Sequence, residues 1–157
     1  MKILVTGGNG MVGSAFSRIE TNHTIVSIGR QEADLINRAE VLSVIDKVEP
    51  DAVIHLAAKV GGVKGNTEFV ADFYVENTLM NVNVLDCCHE AGIPKVLSLL
   101  STCIYPDDVK YPLTEEQIHH GPPHISNFGY AYAKRMLDIH SRALRQQYGR
   151  NYICAVL

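Results

Sequence analysis

No stretch of the 157 residues approaches the roughly 18 uninterrupted apolar positions that span a bilayer, and no membrane or secretory targeting is expected. No basic run interleaved with aromatics occurs either. With 14 Lys+Arg against 17 Asp+Glu and a formal net charge of -3, the electrostatic footprint of nucleic-acid binding is missing. Cysteine is scarce: of 4 residues, Cys87 and Cys88 are adjacent, and neither Cys103 nor Cys154 completes a metal-ligand or redox spacing. Reduced thiols in a cytosolic protein, with no metal, are therefore expected. No internal repeat or low-complexity linker is visible. What remains is ordinary globular usage, 46% hydrophobic and 20% charged, in a length that buries roughly 70% of its unfolded surface as one compact domain.

Short β-branched apolar runs alternate with longer segments of helical period, the pattern of a parallel sheet with crossover helices. The expectation is an α/β, Rossmann-like doubly wound sheet. Strands are predicted at Lys2 to Thr6, Thr24 to Ile28, a short piece around Ala33-Asp34-Leu35, Asp51 to Leu56, Lys95 to Leu100 and Tyr152 to Leu157. Helices are predicted from about Met11 to Glu20, from Arg38 to Val48, as one long element from Asn66 to Ala91, and from Phe128 to Tyr148 before Gly149. Between Tyr105 and Asn127 lie four of the chain's 6 prolines, too long a stretch for a mere connector, and it is expected to be a lid or binding loop.

Gly7-x-x-Gly10-x-x-Gly13, with Met11 and Val12 inside it, falls at the junction of the first strand and first helix. Glycines there allow a tight turn, close approach of a pyrophosphate and close helix packing, while backbone N–H groups face the anion. A dinucleotide site follows. The second strand ends in Gly29-Arg30 where an acidic residue would accept from a ribose 2′-hydroxyl, and a guanidinium suits a 2′-phosphate, so NADP(H) is favoured over NAD. Arg30 also fits a solvated loop, and Asp34 with Leu35 fits either the adenine's flank or a helix cap.

Tyr130 and Lys134 stand four residues apart on a predicted helix and share one face. An ammonium beside a phenol favours phenolate, so Tyr130 is expected to have a lowered pKa and to exchange a proton with a carbonyl or alcohol oxygen during hydride transfer. Ser101 follows a predicted strand, where doubly wound sheets place their chemistry, and its hydroxyl can bond the reacting oxygen.

These residues, together with His55-Leu56-Ala57-Ala58, resemble the extended short-chain dehydrogenase/reductase family. Lys59-Val60-Gly61-Gly62, Ser101-Thr102-Cys103-Ile104-Tyr105-Pro106 and Asn127-Phe128-Gly129-Tyr130 narrow the likeness to its nucleotide-sugar epimerase-reductases. The resemblance covers the whole chain. It implies a cytosolic NADPH-dependent enzyme acting on a GDP-sugar, usually a homodimer, paired through the helix predicted over 66–91. It further implies Tyr130 as proton donor, Lys134 as its partner and nicotinamide-ribose ligand, Ser101 steadying the oxygen and Cys103 as epimerisation acid/base. Gly7, Gly10, Gly13, Arg30, Asp34, Leu35, Leu56, Ala57, Ala58 and Asn77 match the family's cofactor-contacting positions, and His55 reads as a buried structural histidine. Asn9 departs from members that carry an Arg there for the 2′-phosphate. The chain also stops short of the family's partner histidine and sugar-binding domain. It is expected to be the cofactor-binding part of a longer protein, with little or no epimerase turnover by itself. The alternatives are a non-catalytic NADP(H)-binding or sensing module and another extended short-chain nucleotide-sugar epimerase or dehydratase.

Overall fold

The computed structural model describes residues 1–157. Five strands form one parallel sheet in the order β2-β1-β3-β4-β5: β1 Lys2–Thr6, β2 Thr24–Ile28, β3 Ala52–His55, β4 Lys95–Leu100 and β5 Asn151–Val156. The helices are α1 Gly13–Phe16, α2 Arg38–Val48, α3 Val63–Glu68, α4 Val70–Glu90 and α5 Phe128–Tyr148. None is long and apolar enough to cross a membrane. Helices α2, α4 and α5 pack side by side over one face, and the core between them and the sheet includes Leu4, Val53, Val84, Val96, Leu137 and Tyr152. Alternation along the strands turns Ile54, Leu97, Leu99 and Ile153 to the opposite face, where they keep partial exposure and Ile153 is 46% exposed.

Several elements begin and end as their residues predict. Asn37 caps α2 by accepting from the Ala39 N–H at 3.1 Å, and Glu49 closes it in the left-handed region with φ 47° ahead of Pro50. Gly149, φ 66°, ends α5 in the same conformation. Three expectations need correction. The helix expected over Met11–Glu20 is the single turn α1, because the Ser14 and Ser17 hydroxyls bond back to the Met11 and Ser14 carbonyls at 3.0 and 2.7 Å. Residues 33–35 form no strand. The Leu35 and Ile36 carbonyls accept instead from the Asn83 amide on α4, at 2.9 and 2.8 Å, and Asp34 caps a local turn through the Ile36 N–H. The long helix breaks at Phe69, whose φ −118° and ψ 42° leave the helical region and separate α3 from α4.

Residues 105–127 are tied down along most of their length rather than free as a lid. Arg135 on α5 donates to the Ile104 and Gly121 carbonyls at 2.6 and 2.7 Å, His119 meets Asp138 at 3.1 Å, and Ile118 is buried. Only the last turn of the segment, Ile125–Asn127, brings Ser126 and Asn127 to a cavity.

Candidate functional site

Two cavities open beyond the carboxyl ends of the strands. The larger, about 770 Å³, is lined by Gly7, Gly10, Met11, Val12, Gly13, Arg30, Asp34, Leu35, Leu56, Ala57 and Ala58, every residue predicted for a dinucleotide except Asn77, Tyr130 and Lys134. Two of its glycines cannot take a side chain. Gly7 sits at φ 75° with the Ala57 nitrogen 2.8 Å from any Cβ, and a Cβ on Gly13 would meet the Gly7 carbonyl oxygen at 2.2 Å. Because α1 is one turn long, the donors here are those of the turn itself, and the Met11 and Val12 N–H groups have no protein acceptor. Arg30 and Asp34 pair across 3.5 Å at the rim, with the guanidinium 78% exposed, and the Asn9 amide packs against Gly29.

The smaller cavity, about 420 Å³, is lined by Ser101, Cys103 and Tyr130 together with Val60, Gly61, Gly62, Val63, Asn66, Ser126 and Asn127. Val60 borders both cavities. The strap of residues 57–63 that separates them is fastened by Asn77. This fully buried side chain accepts from the Lys59 N–H at 2.8 Å and donates to the Lys59 carbonyl at 3.0 Å and the Phe73 carbonyl at 2.7 Å. Asn77 thus holds the wall of the larger cavity from behind and does not line it.

Tyr130 and Lys134 occupy successive turns of α5, with the Lys134 ammonium 6.0 Å from the Tyr130 ring centre. That ammonium, 2% exposed, donates to the Leu99 carbonyl at 2.8 Å at the end of β4. The expected lowering of the phenol is not found. Burial pushes Tyr130 up to about 12, with Cys103 beside it adding to the rise, and burial pulls Lys134 down to about 8. Desolvation therefore governs the phenol, and Tyr130 stays protonated near neutrality. Cys103 is likewise raised by burial, which its bond with Ser101 only partly offsets, so the thiol is neutral. The Ser101 hydroxyl sits 3.5 Å from the Cys103 N–H.

His55, fully buried, joins the two regions and is no ligand of either. The Ala57 N–H reaches the Thr6 hydroxyl at 3.4 Å, and the Thr6 hydroxyl meets His55 Nδ1 at 2.8 Å. His55 Nε2 meets Asn81 Oδ1 at 3.0 Å, and the Asn81 amide donates to the Ala133 carbonyl at 3.1 Å. Since Asn81 donates through its nitrogen, its oxygen must accept from His55, and Nδ1 must accept from Thr6. Burial, with Lys134 nearby, lowers His55 to about 4 and keeps it neutral.

Sequence reasoning missed Asn66, Asn81, Ser126 and Asn127 as parts of this region, and gave Lys59 no role. Two of the five, Lys59 and Asn127, lie within the family-like stretches Lys59-Val60-Gly61-Gly62 and Asn127-Phe128-Gly129, which was the available signal.

A sequence profile of the NAD dependent epimerase/dehydratase family matches residues 3–157, and the chain belongs to that family. Among its relatives, a GDP-L-fucose synthase of Dictyostelium discoideum is 43% identical over 98% of this chain and 50% of the relative. A probable GDP-L-fucose synthase of Drosophila melanogaster is 44% identical over 99% of this chain and 50% of its own length. The crystal structure of a GDP-L-fucose synthetase from Naegleria fowleri bound to NADP superposes with a TM-score of 0.88 at 41% identity, covering 99% of this chain and 49% of that one. The chain therefore spans about half the length of the curated relatives it matches.

Proposed function

We propose that this chain is the dinucleotide-binding part of an NADPH-dependent 3,5-epimerase-4-reductase that converts GDP-4-keto-6-deoxy-D-mannose to GDP-L-fucose. One observation carries the reading: Ser101, Cys103 and Tyr130 share a cavity that shares a wall with the glycine-lined one. The similarity to GDP-L-fucose synthases over nearly the whole chain supports the choice of sugar nucleotide.

The glycine cradle, the unpaired turn N–H groups and Arg30 fit a phosphate-bearing dinucleotide, and Arg30 suits a 2′-phosphate. The bound nicotinamide supplies hydride. Tyr130, held protonated by burial, donates its phenolic proton to the C4 oxygen, because a developing alkoxide is a far stronger base than phenolate. Lys134 supports that transfer from the end of β4, and Ser101 orients the same oxygen. Before that reduction, while C4 is still a ketone that delocalises the carbanion's charge, Cys103 as a neutral thiol returns a proton to the sugar carbon from which a partner base, supplied by the remainder of the enzyme, has removed one.

The same reading includes a cytoplasmic homodimer. Val75, Leu79 and Val82 on α4 and Tyr132, Met136 and Ile139 on α5 are exposed at i, i+4, i+7 spacing, and these helices pack against each other. The dimer face expected on the 66–91 helix alone is thus proposed across two helices.

Titration with NADPH and NADH, followed by nicotinamide fluorescence, tests the cofactor assignment. NADPH is expected to bind more tightly, with Arg30→Ala erasing about tenfold of that preference. Failure of the chain to bind NADPH overturns the reading.

A further inference from the structure

The wall of the larger cavity carries two acidic side chains, Asp34 and Glu76, and two cationic ones, Arg30 and Lys59. They form two ion pairs, Arg30 with Asp34 and Lys59 with Glu76. The pairs are built differently. The Arg30 side chain is 78% exposed, whereas the Lys59 side chain is 33% and the Glu76 side chain 31% exposed. Lys59 is also held at its backbone by Asn77, and its ammonium lies 5.4 Å from the centre of the Phe73 ring. That ring in turn fills the space beside Gly61, where a Cβ would meet it at 2.8 Å.

A carboxylate in the wall of a cavity for a polyanion is a liability. In a partly desolvated wall its repulsion is screened less than on an open surface. We propose that Lys59 is a specificity-determining residue of the dinucleotide cavity: its ammonium cancels the Glu76 carboxylate, so that a multiply charged dinucleotide is admitted along the strap. Glu76 in return holds the ammonium in the wall and bars anionic ligands whenever Lys59 is absent. The inference rests on the dinucleotide reading above and adds to it a charge-compensating pair that the glycine motif does not contain.

The two members of the pair should act with opposite sign, which separates this role from a structural one. A pair that merely held the strap would be damaged equally from either side. NADPH affinity is measured by fluorescence titration for the wild-type chain, Lys59→Met, Glu76→Gln and the double variant, with melting temperatures recorded for each. Because Asn77 grips Lys59 through backbone atoms, Lys59→Met keeps that anchor. Expected results are binding about tenfold weaker for Lys59→Met, unchanged or tighter for Glu76→Gln, and within about threefold of wild type for the double variant. The weakening in Lys59→Met should also shrink as salt is raised. Equal losses in the two single variants, or a double variant no better than Lys59→Met, overturn the inference while leaving NADPH binding by the wild type intact. If the wild type itself binds no NADPH, the dinucleotide reading and this inference fall together.

Discussion

The two cavities share Val60 yet differ in how they are made. The larger is built on a glycine turn whose Gly7 and Gly13 admit no Cβ and whose Met11 and Val12 N–H groups are unpaired, and on a strap gripped by an amide, with largely apolar side chains completing its wall. The smaller is walled by side chains from α3, α5 and the segments after β3 and β4, whose chemistry depends on burial. Binding is therefore sensitive to volume and charge along the first, and turnover to individual polar atoms in the second.

The sharpest way to separate them is Tyr130→Phe. In a chain long enough to turn over, kcat should fall about 10²- to 10⁴-fold while NADPH affinity stays within about twofold, as stopped-flow turnover and fluorescence titration would show. A parallel loss of affinity would mean the two cavities are one site. Gly13→Ala should do the reverse. The added methyl meets a backbone oxygen that cannot step aside, so NADPH binding should disappear and urea denaturation should show a loss of about 3 kcal/mol.

His55 tests the link between them. Its neutral form is retained in the fold down to about pH 4, while the unfolded chain protonates near 6.5. Between those values the unfolded state binds more protons, so stability is complete above pH 6.5 and falls as the pH is lowered towards 4, by about 2 to 3 kcal/mol. Denaturation of His55→Gln across that range should lack this share of the loss. The smallest effect is expected for Asn77→Ala, about 1 to 2 kcal/mol from Lys59 backbone groups left without partners. Unlike the other variants it should weaken both sites, since the strap borders both.

The strands β1, β2 and β4 and the helices α2 and α5 were legible to the residue because each combines a local period with its own stop signal, such as Gly149 after Tyr148. Errors arose where distant partners overrule the local pattern. Asn83 takes the carbonyls that would otherwise have made residues 33–35 a strand. Serine back-bonding cuts α1 short, and the helical spacing of Phe69 and Phe73 hides the break at Phe69. The same limit governs the site. The glycine loop and the Tyr130–Lys134 spacing are one-dimensional signals, but the direction of the Tyr130 shift is set by its burial in the fold, which no spacing reveals, and Lys134 is held by the Leu99 carbonyl 35 positions away. Asn77 was singled out in the sequence as a cofactor-contacting position, and its grip on the Lys59 backbone, 18 positions away, showed only in the fold.

From Ala57 through Thr6, His55 and Asn81 to Ala133, every donor points the same way. That sequence of bonds acts as a tie-rod from the strand carrying the cofactor wall to the helix carrying the phenol. Under the function proposed above, lengthening it by one weak joint would leave both ligands seated but out of register, and the fault would surface as slow transfer at full occupancy.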